Sequence, residues 1–182
     1  MGPGTGMKAS GALAGAVLLG GCAMVGGGGD ALSPDKPAAM GEIIGFTAGP
    51  CMGACPSYSV RVNKDGSGLL EPRRFTAVPG PTRFTVTPAQ YKRLKAALAP
   101  FRPLPGTTKR IAQGENCQHF ATDMPGYEIE WSQGRGKPAR LSYQSGCMDP
   151  RYGKLRTTIA AIPAMLQIEA MLKPGKPART GA

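Results

Sequence analysis

The stretch "SYSVRVNKDGSGLLEPRRF", residues 57–75, decides the fold. Tyr58, Val60 and Val62 alternate with Ser57, Ser59 and Arg61, the period of two that lays one strand face on a core and leaves the other wet. Asp65-Gly66 interrupts the alternation with hairpin turn chemistry. Leu69 to Phe75 then returns as the partner strand. Pro72 cannot donate a ladder hydrogen bond, so it marks an edge or a bulge.

Outward from this hairpin, "EIIGFTA" (42–48) reads as a preceding strand and "RFTVT" (83–87) as a short following one. The period then changes. Thr87, Pro88 and Gln90 read as an N-cap, a proline at the first helical position and a near capping box. Tyr91, Leu94, Leu98 and Phe101 follow on one helical face. "YEIEWS" (127–132) and "ARLSYQ" (139–144) flank the turn "QGRGKP". The chain then returns to helical spacing at Leu155, Ile159, Ile162 and Leu166, with Pro163 kinking or restarting the helix. The expected class is α+β: a small antiparallel sheet in strands-helix-strands-helix order, helices on one side, stapled by disulfides.

The flanks carry a different signal. Lys8 precedes "ASGALAGAVLLGG" and Cys22, an uncharged run too short to span a bilayer but suited to a signal-peptide core. Leu19, Gly20 and Gly21 before Cys22 resemble the lipobox of bacterial lipoproteins. That resemblance implies cleavage after residue 21, acylation of Cys22, and an anchor of two or more chains, which holds durably where one does not. Ala23, in place of an aspartate, resembles lipoproteins sent on to an outer membrane. Residues 22–41 are rich in Gly, Pro and Ala and read as a tether, residues 174–182 as a disordered tail, and 42–173 as one domain. The expected setting is a periplasm-facing cell envelope.

Charge and cysteines narrow the partners. The chain has 22 Lys and Arg against 11 Asp and Glu, a net charge of +11. The basic residues are scattered, without a like-charge block or an aromatic-interleaved stripe, which argues with the compartment against nucleic acid. Anionic envelope components or another envelope protein suit a tethered basic domain better, beside the membrane reached through the lipid. Setting Cys22 aside leaves Cys51, Cys55, Cys117 and Cys147, an even number in an exported domain. Three pairings are open, and local geometry favours Cys51–Cys55 with Cys117–Cys147. Gly53 can take a positive φ and fold the short loop so that the first two thiols meet.

With these motifs placed, "PCMGACPSYSVRVNKDGSG" resembles the opening of the domain-of-unknown-function family numbered 6438, with its C-x-G-x-C-P-x-Y segment, strand and D-G turn. "TDMPGYEIEW" is similar to that family's T-D-x-P segment. The matching positions are Cys51, Gly53, Cys55, Pro56, Tyr58, Asp65, Gly66, Thr122, Asp123 and Pro125. The resemblance implies a fold and an envelope habitat without an activity. Cys117 and Cys147 stand outside its pattern, as an additional staple.

Chemistry-bearing constellations are few. A C-x-x-x-C-P motif with one downstream histidine also occurs in thioredoxin-like copper chaperones, which would make Cys51, Cys55 and His119 copper ligands. A dithiol redox role is the related alternative. Both chemistries favour cysteines near a helix start, whereas these run directly into a strand. His119 is the single histidine and lies two residues from Cys117, so no nucleophile with a base and an orienter is marked. Glu128 and Glu130 fall on the polar face of a strand as solvated charges. Trp131 and Tyr127 read first as core. Asp149, Arg151 and Tyr152 gather in one loop beside Cys147. The expectation is a non-catalytic binding or structural module, with no cofactor or metal and with the CxxxC as a clasp. Envelope copper binding or thiol redox chemistry at Cys51 and Cys55 is the alternative.

Overall fold

The computed structural model describes residue 2 and residues 41–173. Cys22 lies outside the described residues, as do the expected leader, tether and tail except at positions 2 and 41. Eight strands form the sheet: β1 (Glu42–Ala48), β2 (Ser57–Asn63), β3 (Ser67–Arg74), β4 (Thr82–Thr85), β5 (Thr108–Gln113), β6 (Asn116–Cys117), β7 (Gly126–Gln133) and β8 (Ala139–Gln144). Helix α1 (Pro88–Leu98) lies between β4 and β5, and α2 (Gly153–Leu166) and α3 (Glu169–Leu172) follow β8. Single 3₁₀ turns at Ala99–Phe101 and Pro150–Tyr152 extend α1 and introduce α2.

The strand order is β4-β3-β2-β1-β7-β8-β5-β6. The β2–β3 hairpin closes where expected: Gly66 has φ +89° and donates its N–H to the Asn63 carbonyl at 2.9 Å. A Cβ there would sit 2.2 Å from the Val86 carbonyl oxygen, so the turn admits only glycine. The register of β2 against β3 slips between Ser57 and Tyr58, opposite Arg74 and Pro72, the irregularity that the proline announced. Thr87 caps α1 through a complete capping box with Gln90.

Two expectations need correction. The sheet is large rather than small, and it is mixed rather than antiparallel, because β5 pairs in parallel with both β8 and β6. The order of elements also differs in detail, with β5 and β6 following α1 and a short α3 closing the domain. Strand β5, "TKRIAQ", buries only Ile111, so its sequence carries no alternation to read. Its strand conformation comes from lying against the β8 edge.

One face of the sheet is buried in three registered rows. Val62, Ile44, Trp131 and Ala139 form the first, and Val60, Phe46, Ile129 and Leu141 the second. Tyr58, Ala48, Tyr127 and Tyr143 form the third. Tyr91, Leu94 and Leu98 of α1 and Leu155, Ile159, Ile162 and Leu166 of α2 join the same core. The alternate residues, including Arg61, Glu128 and Arg140, face solvent. Among the described residues no helix is long and apolar enough to cross a membrane.

Candidate functional site

The site grows from the third row. Ala48 stands between Tyr58 on β2 and Tyr127 on β7, directly opposite both. A methyl group between two phenols leaves unfilled volume that a larger side chain would occupy. Phe46, one row along, fixes both rings: it meets Tyr58 edge-on at a 6.0 Å centroid distance and stacks on Tyr127 at 5.8 Å. The result is a cavity of about 270 Å³ at the end of the sheet.

Two loops wall that cavity. The first is the CxxxC segment, where Cys51 and Cys55 are joined by a disulfide with Cα atoms 5.8 Å apart. Gly53 takes φ +138°, the positive value that the tight loop requires. The second is the 122–125 segment, in which Asp123 adopts a left-handed φ of +68° and accepts the hydroxyl of Thr122 on its side chain. Backbone bonds tie the loops together: Met52 donates its N–H to the Asp123 carbonyl at 3.1 Å, and Gly49 donates to Gly126 at 2.7 Å. Ser57 anchors the first loop by donating its buried hydroxyl to the Ala48 carbonyl, and Ser145 the second by donating to Pro125. Cys55, Pro56, Tyr58 and Pro125 then line the cavity from these segments. Ile159, Ala160 and Pro163 of α2 and Leu172 of α3 close it from the helical side.

Its electrostatics are simple. Burial pushes the Tyr58 phenol well above the ordinary tyrosine value, and the nearby Tyr127 adds to the effect. Burial likewise raises Tyr127, with Tyr143 contributing. Both remain protonated donors. Among the described residues, the lining contains no Lys, Arg, His, Asp or Glu.

The other sequence candidates lie elsewhere. Cys117 and Cys147 form the second disulfide, again with Cα atoms 5.8 Å apart. Beside it the buried Asp149 accepts the backbone N–H groups of Gln118 and His119 and contacts the His119 ring nitrogen at 3.2 Å. Those backbone bonds, helped by His119 and Arg151 side chains, hold its carboxyl below the usual range despite burial. The sulfurs and this carboxylate lie within 4.8 Å of one another, but both sulfurs are committed to the disulfide. His119 engages Asp149 rather than Cys51 or Cys55. Arg151 and Tyr152 both donate to the Asn116 carbonyl, so the Asp149 loop is a folded turn around the second staple. Glu128 and Glu130 both pair with Arg140 on the solvent face. Asp65 organises the hairpin turn by accepting from Ser67.

Sequence reasoning missed one charged centre. Glu42 is buried, and its carboxylate pairs with Lys95 at 2.7 Å and with Arg102, while Tyr91 donates to its backbone carbonyl at 3.0 Å. Burial alone would raise this carboxyl, but the bonds and charges of Lys95 and Arg102 outweigh it and the net shift is downward. The signal was present: Glu42 is in phase with Ile44, Phe46 and Ala48 on the buried face of β1.

The sequence profile of a domain of unknown function (DUF6438) matches residues 42–163. The chain belongs to this family. The match spans β1 to most of α2 and includes every position on which the resemblance rested. No curated protein matches the chain, and no solved structure does.

Proposed function

We propose that this member of the family is a lipid-anchored, periplasm-facing envelope protein whose stapled domain is a non-catalytic binding module. The leader of residues 1–21, with Cys22 directly after it, supports the anchor, and Ala23 favours the outer membrane as its destination. The Gly/Pro/Ala tether gives the domain reach, and its net basic charge suits anionic envelope components or a second envelope protein. The observation that carries the binding role is the cavity at the clasp. Two loops from distant parts of the chain are tied together around an apolar space that, among the described residues, is lined by two phenols and no charged side chain.

In this reading the CxxxC disulfide is structural, because it holds one wall of the cavity. The test uses N-phenyl-1-naphthylamine, a neutral dye that brightens in apolar sites. The intact chain should bind it saturably, and Ala160→Trp, at an exposed position on the cavity lining, should abolish the signal without lowering stability. Equal dye binding by this variant would place the site elsewhere. The anchor is tested by metabolic labelling with palmitate, which Cys22→Ala should eliminate.

A further inference from the structure

The ligand chemistry of the cavity can be read from what its walls lack. This deepens the binding-module reading and rests on it. Tyr58 is 4% exposed, yet its hydroxyl forms no hydrogen bond with any described residue. No fully enclosed side-chain oxygen or nitrogen among the described residues is left without a partner. The Tyr58 hydroxyl therefore keeps a small open surface, and Tyr58 is one of the residues that line the cavity. Tyr127, across Ala48 in the same row, presents a second phenol that also has no hydrogen-bond partner among the described residues.

Three classes of occupant can be compared. An ion would leave water for a lining with no opposite charge, the most costly case. A pure hydrocarbon would suit Pro56, Pro125, Pro163 and Ile159 but would strip water from two phenols and return nothing. A mostly apolar molecule with one accepting oxygen satisfies walls and phenols together. We propose that the cavity takes a small, neutral, mainly hydrocarbon molecule whose carbonyl or ether oxygen accepts hydrogen bonds from the Tyr58 and Tyr127 hydroxyls. Because burial raises both phenols, they act as donors across the whole range in which the domain works.

The test uses three probes of matched shape: acetophenone, ethylbenzene and benzoate. Each displaces N-phenyl-1-naphthylamine from the intact, oxidised chain and from Tyr58→Phe, Tyr127→Phe and the double variant. The decisive quantity is the affinity ratio of acetophenone to ethylbenzene, which cancels general changes in the cavity. Loss of one buried hydrogen bond should lower this ratio about fivefold to tenfold in each single variant and further in the double. Benzoate should bind the native chain at least about tenfold more weakly than acetophenone. A ratio that does not move in any variant, or a preference for benzoate, would overturn the ligand class while leaving the cavity as a binding site. Failure of the dye and of every probe to bind would instead remove the binding-module reading itself.

Discussion

Glu42 allows a sharp test of how charge is held in this domain. Its carboxylate is buried, with a side chain 6% exposed, while its two cationic partners differ: Lys95 is 53% exposed and Arg102 28%. Replacing Lys95 with methionine removes a charge that solvent already screens, so the loss should be about 0.2–1 kcal/mol. Replacing Arg102 removes a charged hydrogen bond to a buried carboxylate, worth about 1.5–3 kcal/mol, together with its position 5.9 Å over the Trp131 ring. Arg102→Met should therefore cost about 2–3 kcal/mol, clearly more than Lys95→Met. Trp131 is the sole tryptophan and is 2% exposed, so its fluorescence reports urea unfolding directly. The folded carboxyl lies below its ordinary value of 4.5. The unfolded chain therefore takes up the proton first, and the stabilisation present above about pH 4.5 is lost as pH falls toward the folded value. The deficit of Arg102→Met should narrow over the same interval. Equal costs for the two variants would contradict this ranking by exposure, and a deficit that stays constant down to pH 3 would show that Arg102 acts through packing rather than charge.

Other expectations follow from the staples, the turns and the cavity. In the chain-entropy treatment, the loop closed by Cys117 and Cys147, separated by 30 positions, contributes about 3.7 kcal/mol. The same treatment gives about 2 kcal/mol for Cys51 and Cys55, separated by 4. Thermal melts of the two paired Cys→Ala variants should thus show the larger drop in Tm for the second staple, and the reverse order would contradict the entropic account. Gly66→Ala forces a Cβ to 2.2 Å from the Val86 carbonyl at a positive φ, so it should cost at least about 2 kcal/mol in urea unfolding. Ala48→Val should reduce dye binding at the cavity while changing stability by less than about 1.5 kcal/mol, since the added methyl groups enter open space.

The sequence made the hairpin legible because its strand alternation and Asp-Gly turn are local signals, and the same holds for the Thr87 cap and the apolar face of α2. Strand β5 stayed hidden because only Ile111 is buried and its order is imposed by β8. The parallel pairing stayed hidden with it. The cavity was half legible. Cys55, Pro56, Tyr58 and Pro125 were picked out by motif, but nothing local says that β1 lies between β2 and β7. That non-local order is what sets Ala48 between Tyr58 and Tyr127 and turns a row of side chains into an opening. Glu42 was overlooked because a charged residue at a strand end reads as solvated, although its phase with Ile44 says otherwise.

The most direct test of the central claim, that the CxxxC is a clasp forming one wall of a binding site, is thiol mapping. The chain, expressed in an oxidising compartment, is alkylated without reduction, digested and mapped by mass spectrometry, with metal analysis of the same sample. The account expects Cys51–Cys55 and Cys117–Cys147 peptides, no alkylation at these four positions and no bound copper. Free, readily cycled or copper-loaded Cys51 and Cys55 beside a closed Cys117–Cys147 bond would contradict it and make the clasp itself the reactive site.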